Sequence, residues 1–320
     1  MSEGLEVYYK GPIRVDSCFL LSFKQEEYLL ITSAANQSLD FSIFHCKRKE
    51  KLATKTKSYP KFVRTIVRPV FGHWFLSIEN SYNDFHLCCL YKLTSKGIQK
   101  YLKIIVKISV PYSIFSLDKH KNIVFSDGYQ VCLYNIKQRD TIQTLSLPGS
   151  IDLQGMRYSE KLDALFVIGR EMIFIREIKP DGTIGDIKHR IEPFANNSCF
   201  SCFVFYKEQY LFTILEPQHS SYQDENLCMG TLFVSDINSA KWVEKQNEPW
   251  VILGEPYLSA FPEADRICVK TMNSVAIYKL SDKSLVSEIQ SPGYFLTSSK
   301  KRPTMFFNKG DCILSLTISV

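Results

Sequence analysis

The sequence has no apolar run long enough to span a bilayer, no segment with a sustained helical period, and none of the short motifs that mark common enzymes. Its most apolar long stretch, Cys199 to Leu215, is broken by Lys207 and Glu208, and is too short and too polar for a membrane span. The opening residues Met1-Ser2-Glu3-Gly4-Leu5-Glu6 contain no basic region followed by an apolar core, so no secretory signal is expected. A nucleophile elbow, a P-loop and a dinucleotide glycine fingerprint are all missing. The six histidines, at 45, 73, 86, 120, 189 and 219, form no HxH or HExxH arrangement. Cys199-Phe200-Ser201-Cys202 is a CxxC without a second ligand pair at metal-site spacing. On a strand its two thiols would point to opposite faces, so no metal and no catalytic residue is predicted.

The residues that are present describe a globular chain rich in strands. Of 320 residues, 45% are hydrophobic and 22% charged, which argues against disorder. The 22 Phe and 17 Tyr suit pleated, half-buried surfaces. Ten cysteines without a signal peptide read as reduced thiols in the nucleus or cytoplasm, and in that setting the sequon Asn36-Gln37-Ser38 carries no weight. No membrane association is expected.

A seven-residue pattern recurs. Val131-Cys132-Leu133-Tyr134-Asn135-Ile136-Lys137 and Ser274-Val275-Ala276-Ile277-Tyr278-Lys279-Leu280 both alternate, then end in an aromatic, a polar and an aliphatic residue. Looser copies lie around Phe44, Tyr91, Arg176, Ser235 and Leu316, so the anchors are 47, 43, 42, 59, 43 and 38 residues apart. Repeats of about 40 to 45 residues with several short strands each are the signature of a β-propeller. The predicted fold is all-β, a seven-bladed propeller forming one domain over 1–320. The expected blades are 17–56, 62–108, 111–147, 151–190, 198–244, 256–289 and 292–320. The last blade lacks a fourth strand, and the strand-like segment 5–9 ahead of the first blade is spare. Pairing the two would leave no open edge. Stacked β-sandwiches would also use alternating strands, but they would give neither seven anchors nor this complementary excess and deficit. The fifth interval is long because Pro217 to Asn226 reads as an inserted polar loop.

The strongest local signal is charge. Lys47, Arg48, Lys49, Lys51, Lys55, Lys57, Lys61, Arg64 and Arg68 face only Glu50 between 47 and 68, a net +8 in a chain of +6. Such a segment would grip the phosphates of RNA or DNA, dock on an acidic protein, or serve as a solvated linker from the first blade to the second. The first eight of these cations are the candidate binding residues. Tyr59 and Phe62 interleave with the charges and offer rings to bases, though Phe62 also suits the start of a core strand. Asp127, Asp236 and His45 occupy turn or post-anchor positions with structural uses.

The repeats resemble the WD40 superfamily with its signature eroded. Phe44, Tyr91, Tyr134 and Tyr278 stand where the repeat Trp would be, and the following Asp survives only as Asp236, with Asn135 as the nearest substitute. The resemblance implies a non-catalytic platform that holds other macromolecules together. More specifically, the chain is similar to the non-catalytic subunit family of the tRNA (guanine-N7) methyltransferase. Members are divergent seven-bladed propellers with a basic, variable connection after the first blade, here Lys47 to Lys61. The stretch from Lys103 through Ser113-Ile114-Phe115-Ser116 to Asp127-Gly128-Tyr129-Gln130 follows that family's third blade in its order of strands and turns. The chain departs from the family's D-R-D-E-x-I-R run, having Gly169-Arg170-Glu171-Met172-Ile173-Phe174-Ile175-Arg176, where only Arg170 and Glu171 match in kind. These two are the candidate contacts for a protein partner. The family likeness implies that this partner is a catalytic subunit, which binds S-adenosylmethionine, so no cofactor is expected here. Two other readings stand beside it. One is an adaptor in a nuclear, ubiquitin-ligase or trafficking assembly that never touches nucleic acid. The other is a propeller enzyme whose residues converge from several blades and leave no linear motif.

Overall fold

A computed structural model describes residues 5–10, 15–35, 37–58, 65–79, 85–108, 113–147, 153–217, 227–250, 257–270, 274–282, 284–290, 293–299, 303–309 and 312–318. The candidate residues Lys61 and Arg64, the rings of Tyr59 and Phe62, and most of the expected 217–226 loop lie outside these.

Among the described residues, twenty-eight strands form seven four-stranded antiparallel sheets, and the fold is a seven-bladed β-propeller. Blade 1 is β2 (Ser17–Phe23), β3 (Glu26–Ala35), β4 (Ser38–His45) and β5 (Lys51–Ser58), after an opening strand β1 (Leu5–Lys10). Blade 2 is β6 (Thr65–Val70), β7 (Trp74–Glu79), β8 (Phe85–Thr94) and β9 (Gly97–Lys107). Blade 3 is β10 (Ser113–Leu117), β11 (Asn122–Ser126), β12 (Gln130–Asn135) and β13 (Asp140–Ser146). Blade 4 is β14 (Leu153–Ser159), β15 (Ala164–Gly169), β16 (Ile173–Ile178) and β17 (Ile184–Ile191). Blade 5 is β18 (Ser198–Tyr206), β19 (Tyr210–Pro217), β20 (Leu227–Asp236) and β21 (Ser239–Trp250), reaching six residues past the expected limit of 244. Blade 6 is β22 (Tyr257–Phe261), β23 (Arg266–Lys270), β24 (Ser274–Lys279) and β25 (Leu285–Gln290). Blade 7 is β26 (Tyr294–Ser298), β27 (Thr304–Lys309) and β28 (Cys312–Thr317), completed by β1.

As the sequence predicts, the spare first strand closes the last blade: Leu5 pairs with Leu316, Val7 with Leu314 and Lys10 with Cys312. The alternation of apolar residues explains the sheets. Middle strands are buried along their length, as in Ile123-Val124-Phe125 of β11 and Leu165 to Ile168 of β15. Outer strands alternate exposed and half-buried positions, as in β5 and β25. Each repeat anchor falls on the third strand of its sheet or, at Ile136-Lys137 and Leu280, runs just past it. That strand is flanked on both sides and so carries the most constrained pattern.

The chain divides into two compact units, one of residues 1–110 with 292–320, the other of 111–291. In the first, β2 lies beside both β26 and β6, and β5 lies beside β9. Its core joins Phe41 to Phe75 and Tyr91, with ring centroids 5.2 to 5.3 Å apart. In the second, β10, β14, β18 and β22 follow one another as neighbours. Among the described residues no helix is long and apolar enough to cross a membrane.

Candidate functional site

The basic segment is not the connection that the family resemblance implies. Lys51 to Ser58 is β5, the outer strand of blade 1, and Lys47 and Arg48 sit in the turn before it. The reason lies in K-L-A-T-K-T-K-S itself. Ala53, Lys55 and Lys57 are half-buried on one side, while Leu52, Thr54 and Thr56 are exposed on the other. The β-branched threonines favour the pleat, and the stems of Lys55 and Lys57 lie along the neighbouring blade with their ammonium groups at its margin.

The turn is built on His45, which is buried. Its Nδ1 accepts hydrogen bonds from the amides of Lys47 (3.1 Å) and Arg48 (3.2 Å), which makes Nε2 the protonated nitrogen of the neutral ring. Its backbone N–H donates to Glu50 O (2.9 Å), and Tyr8 donates to its carbonyl (3.2 Å). Lys49 adopts a left-handed φ of 58° and donates to Glu6 at 2.8 Å, which lowers the Glu6 carboxyl below its ordinary range. Lys47 and Arg48 are exposed without a carboxylate partner among the described residues.

On β5 the lysines divide. Lys57 is ion-paired to Glu79 of blade 2 and donates to Cys89 Sγ. Lys55 donates to the Ile98 carbonyl at 3.3 Å and lies 5.9 Å over the Tyr91 ring. Both therefore fasten blade 1 to blade 2. Lys51 is exposed. Arg68, the end of the basic run, lies on β6, donates to Val67 O and packs over the Phe19 ring, so it belongs to the inner wall of blade 2.

The structure adds cations that the run of basic letters did not reveal. In the β8–β9 register, Tyr91 pairs with Lys100 and Cys89 with Lys103. Directly paired residues share a face, and Tyr91 and Cys89 belong to the core between blades 1 and 2. Lys100 and Lys103 therefore stand at the β5 side of β9, exposed and without a carboxylate partner among the described residues. The spacing Lys100, Lys103, Lys107 was visible in the sequence, but these letters are separated by apolar residues of a strand and do not read as a cluster. The unit containing blades 1, 2 and 7 holds 21 basic and 10 acidic residues, net +11, whereas residues 111–291 hold 18 and 23, net −5.

Arg170 and Glu171 lie in the β15–β16 turn. Arg170 donates from Nε to Cys199 Sγ (3.2 Å) and from its guanidinium to Glu216 (2.9 Å), while its carbonyl accepts from Phe200 N (2.6 Å). Its fork thus binds blade 4 to blade 5, and Glu171 is exposed beside it. Burial pushes the Cys199 and Cys202 thiols up, which disfavours the reactive thiolate. All ten cysteines are free, and among the described residues no group of His, Cys, Asp or Glu is arranged to hold a metal. Asp127 caps its own turn by accepting from Tyr129 N and Gln130 N, and Asp236 does the same for Asn238 N.

Sequence reasoning missed a polar clasp between blades 3 and 4. Asp163 accepts from Tyr158 OH (2.9 Å), His120 Nε2 (2.9 Å) and Lys119 Nζ (2.5 Å). Burial alone would raise this carboxyl, but the three donors outweigh it and hold it below its ordinary value. Nearby, Asn122 donates to Gly182 O (2.9 Å) and accepts from Asn135 (2.6 Å).

No family model matches the chain, and no curated protein matches it at a significant level. Solved structures do. One is the crystal structure of a functionally unknown protein from Desulfotomaculum acetoxidans DSM 771, with a TM-score of 0.59 and 12% identity over 85% of this chain and 89% of that one. Likeness at that identity speaks for the propeller fold alone.

Proposed function

We propose that this chain is a non-catalytic scaffold subunit of a macromolecular complex, and most specifically the non-catalytic subunit of a tRNA (guanine-N7) methyltransferase. The observation that carries the scaffold reading is the fold with its charge distribution: a seven-bladed propeller whose excess positive charge is concentrated in one unit, net +11 against −5. Rigid sheets with variable loops suit the holding of partners, and a one-signed field attracts a polyanion. The methyltransferase assignment rests further on the likeness of the third blade in its order of strands and turns. On this reading a catalytic subunit supplies the S-adenosylmethionine site, this chain binds no cofactor, and the complex works in the nucleus or cytoplasm. Glu171 and its neighbour Arg170 are the candidate protein contacts.

The second reading is an adaptor without nucleic-acid contact. It is favoured by Arg170, whose guanidinium is held within the chain by Glu216 and Cys199 and is not turned outward as a partner-binding fork. Affinity purification of the full chain followed by quantitative mass spectrometry separates the two. Stoichiometric recovery of a methyltransferase subunit supports the first, and recovery of a cullin adaptor or a coat component overturns it.

A further inference from the structure

We infer that the open seam between blades 7 and 1 is a binding site for a small zwitterion of the α-amino acid class, its ammonium group inside and its carboxylate at the mouth. The site goes beyond the scaffold reading and does not depend on it. It lies at the end of the two sheets where the first strand turns into the second and the third into the fourth. At the same end of the seam between blades 3 and 4, Asp163 and its donors bridge the two sheets. Between blades 7 and 1 a pocket of about 160 Å³ is left, comparable to the roughly 150 Å³ cavity that holds a benzene molecule.

Strand register fixes which side chains meet there. Phe306 packs with Leu29, Ile31 and Phe44 of blade 1, so its face of blade 7 looks toward blade 1. Ser315 pairs with both Phe306 and Glu6, and Thr304, two residues before Phe306, pairs with Thr317. Paired residues and residues two apart share a face, so all of these look the same way. From the other side Glu27, two residues before Leu29 on β3, points back at blade 7, and its carboxylate accepts from Ser299 Oγ. Tyr8 packs edge-on against Phe306 at 5.2 Å, and both rings line the pocket.

Three observations set the chemistry of the ligand. First, Thr304 and Ser315 are only 9% and 6% exposed, yet neither hydroxyl has a hydrogen-bond partner among the described residues, and both residues line the pocket. A buried hydroxyl without a partner is costly, and ligand N–H groups would satisfy both. Second, the buried Glu27 carboxylate beside them makes the interior negative, which selects an ammonium group. Third, at the mouth Glu6 is neutralised by Lys49 at 2.8 Å, whereas Lys47 is exposed and has no carboxylate partner among the described residues. The charge left for a ligand at the mouth is therefore positive. A negative interior with a positive mouth fits a zwitterion and opposes a simple cation or anion. The rings of Tyr8 and Phe306 offer a surface to an apolar side chain.

The test titrates the full chain with L-valine, L-valinamide and N-acetyl-L-valine, the second lacking the carboxylate and the third the ammonium charge. Valine should bind about tenfold more tightly than either analogue. Lys47→Gln should abolish the preference for valine over valinamide. Thr304→Val combined with Ser315→Ala should weaken valine about tenfold. Lys10→Gln, exposed on β1, should change nothing. Melting temperatures report folding, and a variant that melts early is judged by its ratio of valine to valinamide affinity, which a loss of folded protein does not alter. Bound valine should also slow the labelling of Cys46 by iodoacetamide, read by peptide mapping, because Cys46 lines the same pocket. Absence of valine binding, equal affinity for valine and its analogues, or binding that leaves Cys46 labelling unchanged overturns the inference. Tighter binding of either analogue assigns the pocket to a simple cation or anion and overturns it as well.

Discussion

At Asp163 one carboxylate answers three donors from two blades, and the chemistry of that residue sets a testable pH dependence. Its folded pKa is depressed. The stability it contributes is therefore fully present above the ordinary aspartate value of about 4 and is lost as pH falls through the folded value. Asp163→Asn should cost about 1 to 3 kcal/mol near neutral pH, and the gap to the wild type should close below about pH 4. Urea titrations at several pH values read both. Phe75 is fully buried between Phe41 and Tyr91, so Phe75→Ala should cost about 3 to 5 kcal/mol, seen as a lower denaturation midpoint with an unchanged slope. Phe75 and Tyr91 were readable as strand residues because their neighbours alternate. Asp163 was not readable, since its partners Lys119 and His120 lie more than forty residues away and nothing local marks it.

Strands and turns were legible to different degrees. The third blade, expected at 111–147, is found as four strands running from Ser113 to Ser146. Gly128, with φ of 94°, follows Asp127 in the turn that the Asp-Gly pair announces. By contrast Lys24-Gln25 and Lys207-Glu208 turn with both residues in the left-handed region, a conformation for which their side chains give no signal. The basic stretch is the most instructive case. Read by charge it was a connection, whereas read by its period of two it is β5, and the alternation describes the element because burial of Ala53, Lys55 and Lys57 fixes the strand. Gly182 is a further position where an element depends on one residue. Its φ is +82°, and a Cβ there would lie 2.7 Å from Asn122 Nδ2 and 2.8 Å from His120 Cβ. Gly182→Ala should therefore loosen the seam between blades 3 and 4, lowering the melting temperature and speeding amide exchange of Asn122 and Ile184.

Across the whole molecule the decisive feature is the closing strand, which the sequence revealed through arithmetic: one strand too few at the end and one too many at the start. The charge division between the two units was only half legible, because the run from Lys47 to Arg68 stood out while the dispersed lysines of β9 did not. Removing residues 1–10 should leave β28 as an open edge, with self-association visible by light scattering and a lower melting temperature. The platform depends on β1 lying antiparallel to β28 within one chain, and a cysteine pair reports that directly. Val7 is paired with Leu314, so Val7→Cys combined with Leu314→Cys brings two thiols to facing positions on neighbouring strands. Mild oxidation followed by non-reducing peptide mapping should recover a 7–314 disulfide within a monomer, with a raised melting temperature. Recovery of free thiols alone, or of the linkage only between two chains, would contradict the closed seventh blade.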